Sequence, residues 1–161
     1  MEQCEYQIRR AVASDYNELG QVMFEAVRQG DSPYTELQRK AWVESPRSGD
    51  DWNKRLMNQT VFLAECDEKV HGFMTIDQNG NIDLAFIRLQ SRGVGIFRLL
   101  YDSIECEAKR AGFKELVVHA SLMARPAFEA VGFRVTDNER VIVRDVAFDR
   151  FRMAKQIHST N

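Results

Sequence analysis

The sequence predicts a mixed α/β domain, with helices packed on a central sheet, and three observations carry that prediction. Short runs with a period of two recur between Val61 and Phe86, separated by turn-forming residues. Apolar residues at three- and four-residue spacing mark two helices, one over Leu19–Val27 and one over Phe97–Ala111. A length of 161 residues, 44% of them hydrophobic and 29% charged, suits one water-soluble domain spanning residues 1–161 with a core of its own.

The elements follow in order. Tyr6, Ile8 and Arg10 alternate with Gln7 and Arg9 as a first strand. Ser14 is placed to cap a helix whose apolar face is Leu19, Val22, Met23, Ala26 and Val27, with Gly30 ending it. Ser32-Pro33 opens a second helix that reaches Trp42, because proline is preset for a first helical turn. Residues Ser45 to Asn58 are polar and turn-rich and read as a loop. Val61–Cys66 and Val70–Ile76 are strands joined through Asp67-Glu68-Lys69, and Asn79-Gly80 signals a tight hairpin into a strand carrying Ile82, Leu84 and Phe86. Gly112 stops the long helix, whose last turn carries Lys109 and Arg110, and Leu116–Val118 is the next strand. Ser121 to Gly132 contains a short helix, and Phe133 starts a strand. Arg140–Arg144 and Ala147–Met153 pair as antiparallel strands, and the tail from His158 is expected to be loose.

The stretch richest in chemistry is Gln90-Ser91-Arg92-Gly93-Val94-Gly95, between a strand and the long helix. A glycine-rich turn that feeds a helix exposes several N–H groups at the positive end of the helix dipole, which suits an anion such as phosphate. Glycine lets the main chain approach a ligand unobstructed. A dinucleotide fingerprint would need a third glycine where Arg98 stands, and a nucleoside-triphosphate loop would need Lys-Ser/Thr after Gly95, where Ile96 stands. Neither fits. Gln-x-x-Gly-x-Gly instead resembles the pyrophosphate loop of the GNAT superfamily, the acyl-CoA-dependent N-acyltransferases.

A second segment strengthens the resemblance. GNAT enzymes typically carry Asn-x-x-Ala, then an aromatic residue, then Gly-Phe. Here Ser121, Ala124, Phe128 and Gly132-Phe133 occupy those places. The Ser-x-x-Ala-Arg-Pro version resembles that of a bacterial subgroup, and the likeness covers about Tyr6 to Lys155, with elements in the order β-α-α-β-β-β-α-β-α-β-β. The resemblance implies a mostly antiparallel sheet that splays after its fourth strand, where the pantetheine arm of acetyl-CoA enters like an extra strand. It implies an N-acetyltransferase acting by direct attack of an amine on the thioester. The cofactor-binding residues it points to are Ile87, Arg92, Gly93, Val94, Gly95, Ile96, Ser121 and Phe128, with Ile87 supplying the N–H that polarises the thioester carbonyl. A homodimer is common among relatives.

Two departures stand out. Phe128 replaces the tyrosine that protonates the leaving thiolate in many GNAT enzymes, which opens the alternative of a non-catalytic acyl-CoA-binding sensor. The strand-to-loop link, Ile87-Arg88-Leu89, is two residues shorter than usual. For the base that must deprotonate the amine, the candidates are Asp83, a carboxylate in an apolar strand, and His119, whose ordinary pKa of about 6.5 suits neutral pH. Trp42 and Trp52 read as core aromatics, Cys106 as structural, and His71 has no assigned role.

Composition narrows the partners. A net charge of −2 without a basic stripe gives no case for nucleic acid, and the acceptor the resemblance implies is a small-molecule or peptide amine. No apolar run approaches the ~18 residues of a membrane span, and the N-terminus lacks a hydrophobic signal, so the expectation is a cytoplasmic protein. Three widely spaced cysteines, Cys4, Cys66 and Cys106, read as reduced thiols, with no metal site.

Overall fold

A computed structural model describes residues 4–158 of the chain. Seven strands, β1 (Gln7–Arg10), β2 (Thr60–Cys66), β3 (Lys69–Ile76), β4 (Asn81–Ile87), β5 (Glu115–Ser121), β6 (Arg134–Val143) and β7 (Val146–Gln156), form one sheet in the order β1-β2-β3-β4-β5-β7-β6. Neighbours are antiparallel except β4 and β5. The helices are α1 (Tyr16–Arg28), α2 (Glu36–Trp42), α3 (Asp50–Met57), α4 (Ile96–Arg110) and α5 (Arg125–Ala130).

Each face of the sheet buries its own core. On one, Ile96, Leu100, Ile104 and Ala108 of α4 pack on Met74, Ile82, Leu116 and Val118. On the other, Leu19, Val22, Met23 and Val27 of α1 pack on Val61, Leu63, Phe73 and Leu84. Burial of each large side chain contributes about 1.5–3 kcal/mol, so these stripes dominate docking of both helices. No helix among the described residues is long and apolar enough to cross a membrane.

The sheet opens where β4 meets β5. Their parallel pairing is limited to Asn81 with Val117 and Ile82 with Val118. Beyond Ile82 the strands part. A bulge in β4 begins at the same place: Met74 faces Ala85 while Ile76 faces Ile82, so Asp83 and Leu84 together oppose Thr75. Thr75 fills the gap by accepting a hydrogen bond from the Leu84 N–H at 3.0 Å. The bulge breaks the strict alternation expected of this strand and turns Asp83 toward α3 rather than leaving it opposite Leu84.

Other expectations need correction. The Ser45–Asn58 segment is not all loop, because α3 runs through it, with Trp52 and Leu56 buried four residues apart. Acidic residues in its first turn and Lys54 and Arg55 in its last suit the helix dipole. α2 starts after Thr35 instead of at Ser32-Pro33, since Thr35 and Gln38 form a reciprocal capping box. Ser14 lies in a 3-10 turn and does not cap α1. Asn79-Gly80 is part of a longer turn in which the Asp77 carboxylate accepts from Asn79 and Asn81 N–H, and of the two only Gly80 has positive φ. One long strand, β6, spans the Phe133 and Arg140 segments, and it meets β7 through Arg144-Asp145, both at positive φ. The expected loose tail begins at His158 and otherwise lies outside the described residues.

Cys4 and Cys66 are paired as a disulfide, against the expected reduced thiols, while Cys106 is free and exposed on α4 rather than structural. Antiparallel β1 and β2 bring the two cysteines together, and Asp67 lies beside them. The pairing takes up both sulfurs of that cluster.

Candidate active site

A cavity of about 480 Å³ occupies the opening between β4 and β5. Its walls are the end of α1 and the start of the following link, the Ala85–Ile87 end of β4, the glycine loop, Ser121, and the inner side of α5. The strand edges supply free main-chain groups. The Arg88 N–H donates to His71 O at 2.9 Å, and main-chain groups alternate sides along a strand. Those of Ala85 and Ile87 therefore point away from β3, into the opening.

The glycine loop meets the cavity from above. Gly93 and Gly95 take φ of 79° and 89°, a region that excludes most side chains. Among the described residues the N–H groups of Gly93, Val94 and Gly95 donate to no protein acceptor, and α4 starts at Ile96 with its first N–H groups free by construction. Val94 itself points outward and is half-exposed. Arg92 departs from expectation in both of its parts. Its N–H already donates to Leu89 O, and its guanidinium turns inward to Ile87 O at 3.2 Å and Ala26 O at 3.0 Å. Burial, and then the nearby charge of Arg39, lower its pKa. Arg92 is a strut between β4 and the last turn of α1, and the free N–H set begins at Gly93.

Two residues that the sequence left without roles hold the shortened link. Arg88 donates to Val70 O at 2.8 Å and pairs with Glu25 of α1. His71 hydrogen-bonds through Nδ1 to the buried Ser91 hydroxyl at 2.8 Å, which anchors the turn before the loop. Their types give no warning of this; only the fold brings β3 beneath the loop.

At the opposite wall, the Ser121 hydroxyl accepts from Ala124 N–H at 3.0 Å and shapes the turn into α5. Phe128 does not line the cavity. Its ring is 1% exposed and packs edge-on against Phe97 at 5.0 Å and Phe133 at 5.2 Å, so Phe97 forms the wall in its place. Trp42 lines the cavity rather than serving only as core, and Trp52 is buried with its indole N–H on Tyr16 O. Tyr34, unremarked in the sequence, donates to Asp149 O at 2.6 Å and accepts from Leu122 N–H at 3.0 Å. Burial raises its pKa, so it stays a neutral phenol that ties β7 to the β5–α5 turn.

The two candidates for the base, Asp83 and His119, are not brought together. Neither lines the cavity. Asp83 receives Arg55 at 2.8 and 2.9 Å and Gln59 at 2.7 Å. Burial alone would raise its pKa, but these hydrogen bonds and the Arg55 and Arg47 charges hold it below the ordinary carboxylate range. A carboxylate so stabilised is a poor proton acceptor. His119 lies on the half-exposed surface of β5, with Nδ1 2.7 Å from Glu139, which also pairs with Arg150.

The comparisons with known proteins bear on the family and the fold. A family model described as an acetyltransferase (GNAT) domain matches residues 29–155. An uncharacterized N-acetyltransferase, YafP, of Escherichia coli strain K12 is 31% identical over 150 residues, covering 91% of this chain and 93% of that protein. A GCN5-related N-acetyltransferase structure from Rhodopseudomonas palustris, titled Aminotransferase, Class-II, has a TM-score of 0.90 at 21% identity, covering 98% of this chain and 99% of that one. The paia N-acetyltransferase of Thermoplasma acidophilum, solved with coenzyme A, has a TM-score of 0.74 at 16% identity, covering 95% and 99%. Matched along most of its length, the chain belongs to the GNAT family of acetyltransferases.

Proposed function

We propose that the protein transfers the acetyl group of acetyl-CoA to a primary amine of a small molecule or peptide, by direct attack and without a covalent enzyme intermediate. The observation that carries the reading is the edge of β4 left without a strand partner at Ala85 and Ile87, where the Ile87 carbonyl is held by Arg92 but the Ile87 N–H is free, facing a cavity roofed by free loop N–H groups. Gly93 to Ile96 would receive the pyrophosphate. The β4 edge would receive the amides of the pantetheine arm, and the Ile87 N–H would polarise the thioester carbonyl. Acetyl-CoA supplies an activated acyl carbon, and the site supplies position, which accounts for most of the gain in such two-substrate reactions.

No carboxylate or imidazole lines the cavity among the described residues. The amine therefore reacts from its neutral fraction and its proton leaves through water; Phe128 has no proton for the thiolate, and the hydroxyl of Tyr34 on the cavity wall is already donated to Asp149 O. We also assign the protein to the cytoplasm. The test is calorimetry with acetyl-CoA, followed by CoA release with a panel of amines. Binding in the micromolar range with release above hydrolysis supports the reading, and binding without transfer to any amine makes the protein a sensor instead.

A further inference from the structure

A second cavity, of about 390 Å³, is walled by the Val43–Ser48 segment, by α3 and by Arg144 at the β6–β7 turn. Three guanidinium groups line it: Arg47, Arg55 and Arg144. Two already have carboxylates, Arg55 on Asp83 at 2.8 Å and Arg144 on Glu44 at 3.1 Å. Arg47 has none within 4.0 Å among the described residues. Its Nη2 donates to Trp42 O at 3.2 Å, and its Nε is buried without an acceptor. The acids on this wall, Glu44 and Asp51, are both exposed. Burial, and then the charges of Arg55 and Arg144, lower the Arg47 pKa, opposed by Asp83. A half-buried guanidinium short of acceptors is costly until an anion completes it.

We propose that this cavity is an oxyanion subsite for the acceptor, so that the amine acetylated at the β4 edge carries a carboxylate or phosphate at its far end, held by Arg47. The inference rests on the acetyl-transfer reading above. Trp42 joins the two cavities: it lines the first, and its carbonyl takes Arg47. Asp83, which holds Arg55 on the wall of the second cavity, precedes Ile87 by four residues on β4, at most roughly 13 Å along the strand at about 3.3 Å per residue. That spacing suits an extended acceptor with its amine and oxyanion well separated. Arg47 is fixed for the role. A Cβ on Gly20 of α1 would lie 1.9 Å from Arg47 O, so glycine there lets the segment press against the helix.

The experiment uses the full chain with acetyl-CoA and a series of unbranched ω-amino acids, each beside its methyl ester, together with the matching phosphate monoesters. CoA release gives kcat/KM, and calorimetry gives the affinity for hexanoate and for inorganic phosphate alone. The expected result is at least a 10-fold preference for an anionic acceptor over its ester at the best chain length, expressed mainly in KM. Arg47→Gln brings that ratio to within 2-fold and weakens the anion probes at least 5-fold, and Arg47→Lys recovers part of both. Acids and esters turned over equally well would overturn the subsite while leaving acetyl transfer standing. If no amine is accepted, the anion probes decide: affinity that is indifferent to Arg47→Gln sinks the subsite. Failure to bind acetyl-CoA sinks the underlying reading separately.

Discussion

The two cavities are built in different ways. The first draws its walls from stretches between Ala26 and Val131, but the groups it turns toward the co-substrate are shaped locally: Ser121 caps a turn three residues on, and Gly93 and Gly95 act through their own φ angles. The arginine-lined cavity depends on distant contacts. Arg144 reaches Ala41 O across 103 residues, and Arg55 meets Asp83 across 28. Co-substrate chemistry is the same throughout such a family, so local chain geometry can serve it. Acceptor chemistry varies, and it is placed on segments whose meeting depends on the whole fold.

The largest expected effect tests the long-range side. Alanine in a helix interior ordinarily stabilises relative to glycine by about 0.5–1 kcal/mol. At Gly20 the sign should reverse, because the new Cβ meets main-chain atoms of Arg47 that cannot rotate away. Gly20→Ala should cost about 3 kcal/mol in urea unfolding, with acetyl-CoA affinity changed less than 2-fold. A stabilised variant would show that the Val43–Ser48 segment does not pack on α1 as described.

Next in size is the local side. A Cβ at Gly93 meets nothing within 4 Å, so Gly93→Val strains only the loop's own φ of 79°. Acetyl-CoA affinity should fall about 100-fold, near 2.7 kcal/mol, while circular dichroism is unchanged. Unchanged affinity in the folded variant would place the pyrophosphate elsewhere.

This contrast also governs what could be read from the sequence. The order of the strands and of the helices other than α3 was legible, as was the glycine turn into α4, because each is a short pattern whose physics is local. α3 was hidden among Pro46, Ser48 and Gly49, although Trp52 and Leu56 already carried the i, i+4 signal. The contacts of Asp83 with Arg55 and Gln59 follow a bulge in β4, and strict alternation cannot foresee one extra residue. Phe128 was placed on the cavity wall by its position in the motif, whereas the packing of Phe97 and Phe133 puts it behind that wall.

A smaller effect follows at Phe128. A hydroxyl added to a ring that is 1% exposed enters an apolar cluster, so Phe128→Tyr should cost about 1–2 kcal/mol without raising kcat. A rise in kcat with binding intact would mean that the ring edge reaches the sulfur and restores an acid.

Smaller again is a pH effect on the α4 side. Burial would raise the Glu105 pKa, but Lys155, Tyr101 and Lys109 lower it to about 2. Its folded pKa lies below its unfolded value, so its contribution is full above the ordinary carboxylate range and is lost as pH falls through that range toward 2. With its side chain 22% exposed, screening reduces the contribution to about 1 kcal/mol. Glu105→Gln should therefore be less stable than wild type by about that much at pH 7, and the two should converge near pH 2. A gap independent of pH would show that lost packing, not charge, is being measured.

The smallest expected effect concerns His119, and it separates two accounts of the proton. An imidazole base would break the pH profile of kcat/KM near its ordinary value of about 6.5. His119 instead sits beside Glu139, whose pKa is lowered chiefly by that hydrogen bond, and it does not line the cavity. Log kcat/KM should therefore climb with unit slope to the pKa of the acceptor amine itself, with no break near neutrality. His119→Gln should change kcat/KM less than 2-fold at every pH and leave the slope as it was. An inflection between pH 6 and 7 in the wild type that disappears in His119→Gln would return the base role to His119, and would require β5 to turn that edge toward the cavity when the acceptor binds.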